Sequence, residues 1–304
     1  LAFYFAKSLL CKDKGIDEYF CGRCATCRQF DGKKEILDSS QDEFEITHSD
    51  FHLIKKANDK KNISIEQVRS FISSLGMTSF LDSYKIGIIK NAERLSLEAA
   101  NALLKTLEEP RKNVVVILLA NEVEDLPATI VSRSQVLRFK EVDNDTIYKF
   151  LISEHKASRS VAKNLSRLSM GRPALAVKLF ENKEFYNEYL EKIKLSLDVF
   201  HHDINKRLKG VEELVGSGQK QDAVESAYAV LEIWQGLLRD VVLLQLGHND
   251  LIQYGVVNKE LAAIKDQMGI KSILKINQKI KTARDYIYSN VNPRIALEDI
   301  AINI

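Results

Sequence analysis

The sequence lacks a charge of either sign to spare: 44 basic and 42 acidic residues among 304 leave a formal net charge of +2. Bulk attraction to nucleic acid is therefore excluded as an argument, and only a local patch can favour it. No apolar run reaches the roughly 18 residues that a membrane-spanning helix needs. The n-region, h-region and cleavage pattern of a signal peptide are missing too, so a cytoplasmic protein with no membrane partner is the expectation. Internal repeats and low-complexity tracts are absent. So is the GxxxxGKS/T loop with which P-loop enzymes cradle phosphates.

Cysteine is scarce, but its placement is informative. All four lie between positions 11 and 27: Cys11, then Cys21, Cys24 and Cys27 in CGRCATC. Four thiolates satisfy a tetrahedral Zn²⁺ completely and leave no open position for water, so the metal they imply is structural rather than catalytic. Lys12, Arg23 and Arg28 flank the cluster and offset part of its negative charge. Such crowded spacing disfavours disulfides. An iron–sulfur cluster stays open as a lesser alternative, because three cysteines at this spacing also occur in ferredoxins, though the downstream Cys-Pro of that pattern is absent. His48 and His52 are the nearest histidines and read as packing residues rather than ligands.

The remainder has the length and the apolar content, 45% hydrophobic, for two or three domains. LAFYFAKSLLCK (1–12) opens without a Met as an amphipathic helix, with Leu1, Phe5 and Leu9 at helical spacing; a domain entered part-way, its N-terminus truncated, is the expectation. Residues 31–62 read as polar loops with a strand or two, FHLIK (51–55) among them. Ser64 and Gln67 form a capping box ahead of a helix over 64–75. A strand over 84–90 and a helix over 95–109, stopped near Pro110, follow. VVVILLA (114–120) is apolar enough to read as a central strand covered on both faces. A short helix is expected over 125–133 and a further strand at VLRF (136–139). Strands alternating with helices indicate an α/β domain with a mainly parallel sheet. From Asn144 onward the period is helical throughout: a small unit over 145–181, then longer helices, with Gly-containing breaks near 215–218, 247 and 269. The segment 226–246 is apolar round much of its surface and should be buried in a bundle or against another subunit.

The end of the second strand bears on catalysis. ATP hydrolysis in P-loop enzymes needs one acid to fix Mg²⁺ and another to prepare the water. In GIIKNAERL (87–95) those places hold Lys90 and Asn91. A charged lysine has no lone pair for a metal, and Asn91 is a poor general base. Glu93 stands too far along the turn to replace either.

ANALLKTLEEP (100–110), ILLA (117–120), LPATIVSR (126–133) and the cysteine cluster after the first helix together resemble bacterial clamp-loader subunits, AAA+ proteins that open the sliding clamp of DNA polymerase III. The match is close over residues 1–140 and holds in outline beyond. It departs in two places: nine residues rather than eight separate Cys11 from Cys21, and Ser134 replaces the Cys of the family's Ser-Arg-Cys motif.

The resemblance implies an AAA+ α/β core of P-loop type over 1–141 with a zinc module at 11–27, a helical lid over 142–181, and an all-α collar domain over 182–304. Lys90-Asn91, where motor subunits (gamma/tau) carry Asp-Glu, points to the delta-prime branch, which hydrolyses no nucleotide of its own. Arg133 is then the arginine finger presented to a neighbour's ATP, and Arg172 in MGRP (170–173) stands near a second nucleotide-sensor position. The implied partners are the gamma/tau and delta subunits, the sliding clamp, and primer-template DNA through the complex. Neither ATPase nor polymerase activity is expected of the chain alone, though it would belong to the DNA polymerase III holoenzyme. Two other readings stand beside this one: an ATP-hydrolysing gamma/tau-type subunit, and a zinc-containing nucleic-acid binding module built on CGRCATCR.

Overall fold

The computed structural model describes residues 1–15, 19–31, 48–56, 60, 62–77, 84–201, 203–216 and 220–304. They form two compact units, 1–138 and 139–304.

The first unit is α/β. Helices α1 (Ala2–Leu10) and α2 (Ala25–Asp31) precede strand β1 (Phe51–Ile54), followed by α3 (Ile65–Gly76), β2 (Lys85–Ile89), α4 (Leu97–Glu108), β3 (Val114–Leu118) and α5 (Ala128–Val131). The strands make a parallel sheet in the order β1-β2-β3, with Phe51 opposite Ile86 and Ile89 opposite Leu118. Most of the loops expected over 31–62 lie outside the described residues.

Side chains along β2 serve opposite faces of the sheet. Ile86 and Ile88 join Phe3, Leu10, Phe30 and Phe51 in one cluster, while Ile89 joins Val68, Phe71, Leu75 and Leu103 in the other. Each of these isoleucines is fully buried, and a side chain so placed contributes about 1.5–3 kcal/mol. Gly87 lets α3 lie against the strand, since a Cβ there would meet the Phe71 ring. The capping box at α3 forms as expected: Gln67 N donates to Ser64 Oγ, and Ser64 N to Gln67 Oε1.

Two expectations fail. The central, fully buried strand is β2; β3 is an edge of the described sheet and only half-buried. An apolar run reports how much a strand can bury, not which neighbours the topology supplies. VLRF forms no strand: Val136, Leu137 and Phe139 are exposed, and the stretch has no ladder partner among the described residues. Alternation cannot make a strand where no second strand pairs with it.

The second unit is helical: α6 (Asn144–Ser153), α7 (Arg159–Leu168), α8 (Pro173–Glu181), α9 (Lys183–His201), α10 (Ile204–Val215), α11 (Lys220–Gln245), α12 (Asn258–Gln267), α13 (Ile270–Tyr288) and α14 (Pro293–Ile302). Asp143 and Ser158 cap the first two, each accepting a backbone N–H from three residues further on. The break expected near 215–218 begins at Gly216, whose φ of +76° ends α10; residues 217–219 lie outside the described residues.

One continuous core runs through this unit, with Trp234 of α11 fully buried at its centre and α11 packed against α9, α10, α12, α13 and α14. Most of the apolar surface of the 226–246 segment is thus covered by the chain's own bundle, Leu246 at its end remaining exposed. No helix among the described residues is long and apolar enough to cross a membrane.

Candidate metal centre and arginine sites

The cysteines converge because α1 stops where its C-cap turns extended. Cys11 sits at that cap, with φ −73° and ψ 119°, and its N–H donates to Lys7 O. Gly22, at φ +70°, supplies the left-handed residue that lets CGRC reverse direction. Backbone groups then prepare the sulfurs. Cys21 N donates to Cys11 Sγ at 3.3 Å, Cys24 N to Cys21 Sγ at 3.3 Å, and Cys27 N to Cys24 Sγ at 3.4 Å.

All four Sγ atoms lie within 4.8 Å of one another, with Cys11–Cys24 and Cys21–Cys27 each 4.0 Å apart. Sulfurs held about 2.3 Å from one Zn²⁺ in a tetrahedron stand roughly 3.8 Å from each other, so the cluster fits a single ion. Disulfides are ruled out at these separations, about twice an S–S bond, and a cluster of several irons needs a wider ring of sulfurs. Cys11 and Cys27 are buried.

The thiols differ in acidity. The N–H groups of Arg23 and Cys24 bring Cys21 down to about 7, whereas burial pushes Cys27 up to about 12 and also raises Cys24. Four clustered thiolates without a cation would repel one another, and a divalent ion supplies the missing charge. This is a structural zinc site.

His48 supports the module from outside the ligand set. Its buried ring accepts from Asp50 N through Nδ1 at 3.2 Å, which places the proton on Nε2, 3.4 Å from Thr26 Oγ1 of α2. Burial lowers its pKa and so favours that neutral form.

At the C-terminal end of β2 the chain turns at once. Asn91 adopts a left-handed conformation, φ 56°, which asparagine tolerates better than most residues. Lys90 N bonds Ile54 O and Ala92 N bonds Leu119 O, fixing the turn across the ends of all three strands. Neither position carries a carboxylate. Glu93 faces sideways, its Oε1 3.4 Å from Asn121 Nδ2.

Arg133 follows α5. Its Nε donates to Glu108 Oε1 at 2.7 Å, Nη2 lies 2.7 Å from the same oxygen, and Nη1 donates to Thr129 O at 3.0 Å and Ser132 Oγ at 3.2 Å. The side chain remains 35% exposed. Arg172 stands at the N-cap position of α8; Nε reaches Ser169 O at 3.4 Å and Nη1 meets Glu232 of α11 at 2.9 Å. Glu108 and Glu232 escape sequence reading, since each acts through a tertiary pair across 25 and 60 positions, beyond any local period.

Fold and metal centre together give an AAA+-like unit with a small parallel sheet and a four-cysteine zinc cluster, an arrangement consistent with a clamp-loader-type fold. Comparison with known proteins agrees. The family model described as "DNA polymerase III, delta subunit" matches residues 1–143. The chain is 26% identical to the DNA polymerase III subunit delta' of Bacillus subtilis, over 99% of this chain and 85% of that protein. It is 25% identical to the subunit delta' of Haemophilus influenzae, over 91% and 77%. Likeness to the B. subtilis subunit tau is 30% but covers only 47% of this chain and 22% of that protein. Residues 1–143 thus match this family, and along its length the chain is similar to bacterial DNA polymerase III subunits of the delta'/gamma/tau group.

Proposed function

We propose that this chain is the non-hydrolysing delta-prime subunit of a DNA polymerase III clamp loader, presenting Arg133 to ATP held by an adjacent motor subunit. The observation that carries this reading is the end of β2: Lys90 and Asn91 occupy the turn where hydrolysis needs carboxylates. Two of the likenesses to delta' subunits, those of Bacillus subtilis and Haemophilus influenzae, run over nearly the whole chain, whereas that to the B. subtilis tau covers about half, which supports it as well.

Arg133 suits the role chemically. A guanidinium presents fixed donors to phosphate oxygens and supplies positive charge as negative charge develops in the transition state. In this reading residues 142–181 are the lid and 182–304 the collar domain, through which the chain joins gamma/tau and delta subunits to place the sliding clamp on primer-template DNA. Arg172 stands near the second sensor position in this reading, and its pair with Glu232 joins residues 142–181 to residues 182–304.

The test is ATP turnover by a loader reconstituted with clamp and primed DNA. The isolated chain is expected to be silent, and Arg133→Ala to remove most of the turnover at the site it faces. Hydrolysis by the isolated chain would refute the reading of Lys90 and Asn91. Full turnover with Arg133→Ala would reduce the arginine to a surface contact.

A further inference from the structure

We propose that Glu108 is a positioning residue for Arg133, holding the guanidinium folded back on its own subunit until a more highly charged anion draws it away. The proposal rests on the reading that Arg133 serves a neighbour's nucleotide. Its starting point is that every nitrogen of the Arg133 side chain has an oxygen of the same chain within 3.2 Å. A guanidinium so engaged is turned toward its own subunit.

The chemistry of the two helix ends explains the arrangement. Glu108 is the last residue of α4 and Glu109 its C-cap, so two carboxylates stand where the helix dipole is already negative. Glu108 gains nothing there from its own helix and takes its stabilisation from Arg133. Arg133, just past α5, reaches the Thr129 carbonyl and is favoured at that end.

The pair is also built to open. The two side chains are 35% and 48% exposed, so water and a partner can reach both. An ion pair so exposed is weak. A carboxylate offers one negative charge, whereas a nucleoside triphosphate offers several, with several acceptor oxygens. Exchange of Glu108 for the terminal phosphate therefore favours release when a neighbour holds ATP and favours return when that phosphate is gone. While paired, Glu108 also cancels the charge that Arg133 would bring to a transition state.

The experiment compares wild type, Glu108→Gln, Arg133→Ala and the double variant in the reconstituted loader, without clamp or DNA. Glu108→Gln keeps the shape and removes the competing charge. It is expected to raise turnover about two- to fivefold, the factor that an exposed ion pair is worth, and to have no effect in the Arg133→Ala background. Turnover unchanged or lowered by Glu108→Gln, with Arg133→Ala still defective, would overturn the role of Glu108 and leave the finger standing. A wild-type rate with Arg133→Ala would instead overturn the reading beneath it. A second readout needs no assembly: in the isolated ¹⁵N-labelled chain, the Arg133 Nε–H should exchange with solvent more slowly in wild type than in Glu108→Ala, which removes the acceptor. Equal exchange rates would refute the pairing.

Discussion

Gly87 and Phe71 fit together only because Gly87 has no side chain. A Cβ on Gly87 would stand 2.3 Å from Phe71 Cζ and 3.0 Å from Leu75 Cδ1. The flush seating of α3 on the central strand depends on this gap. Gly87→Ala should lower stability by about 1–3 kcal/mol through overpacking, and Phe71→Leu in the same chain should restore part of the loss. Midpoints of urea unfolding measure both; an unshifted midpoint for Gly87→Ala would contradict the packing described.

Zinc removal is expected to act on one unit only. The cysteines are confined to 11–27, within the unit 1–138. Chelation, or Cys27→Ser at the buried ligand, should lower the melting temperature of that unit and leave the transition of 139–304 in place. Metal analysis should give one zinc per chain in the wild type and a clear loss in Cys27→Ser. A calorimetric profile indifferent to both treatments would show that the ion is not structural.

Asp240 is fully buried, and its carboxylate accepts from Gln253 N at 2.9 Å and Tyr254 N at 2.8 Å while pairing with Arg239 at 3.0 Å. Asp240→Ala strands two backbone donors, each costing about 1–3 kcal/mol when left unsatisfied; Asp240→Asn keeps an acceptor and should cost far less. Burial, only partly offset by those donors, holds the Asp240 carboxyl above the ordinary range. A raised acid favours the folded state while protonated, so its contribution is present at low pH and lost as pH rises through the folded pKa. Wild type should therefore lose stability relative to Asp240→Asn over that interval. Parallel stability curves for the two proteins would refute this.

Arg172 offers a contrast with Arg133. If its work is the tie to Glu232, Arg172→Ala should leave loader turnover within about twofold and cost the isolated chain at most about 1 kcal/mol, as exposed ion pairs do. Glu232→Gln should match it. A roughly tenfold fall in turnover with Arg172→Ala but none with Glu232→Gln would return the residue to a nucleotide role.

Local signals are legible in this sequence and tertiary ones are not. Ser64 and Gln67 announce the start of α3 because a cap is made between residues three apart. Cys11 to Cys27 announce a metal site because four soft ligands at short spacing have few other uses. The relative place of β2 and β3 is hidden, since both are apolar runs and only pairing decides which is central. VLRF misleads for a related reason: its composition suits a strand, but strand formation requires a partner. Glu108 and Glu232 are invisible, because a surface carboxylate carries no mark of the arginine it will meet.

The second unit has a further property that follows from α11. This 26-residue helix, about 39 Å long, touches five of its neighbours, and its buried side chains run through most of its length. None of those neighbours can detach without exposing part of the same apolar surface. Partial opening is therefore penalised almost as heavily as complete opening, and residues 139–304 are expected to melt in a single sharp transition. Amide protons along the buried stretch of α11 should be among the last in that unit to exchange.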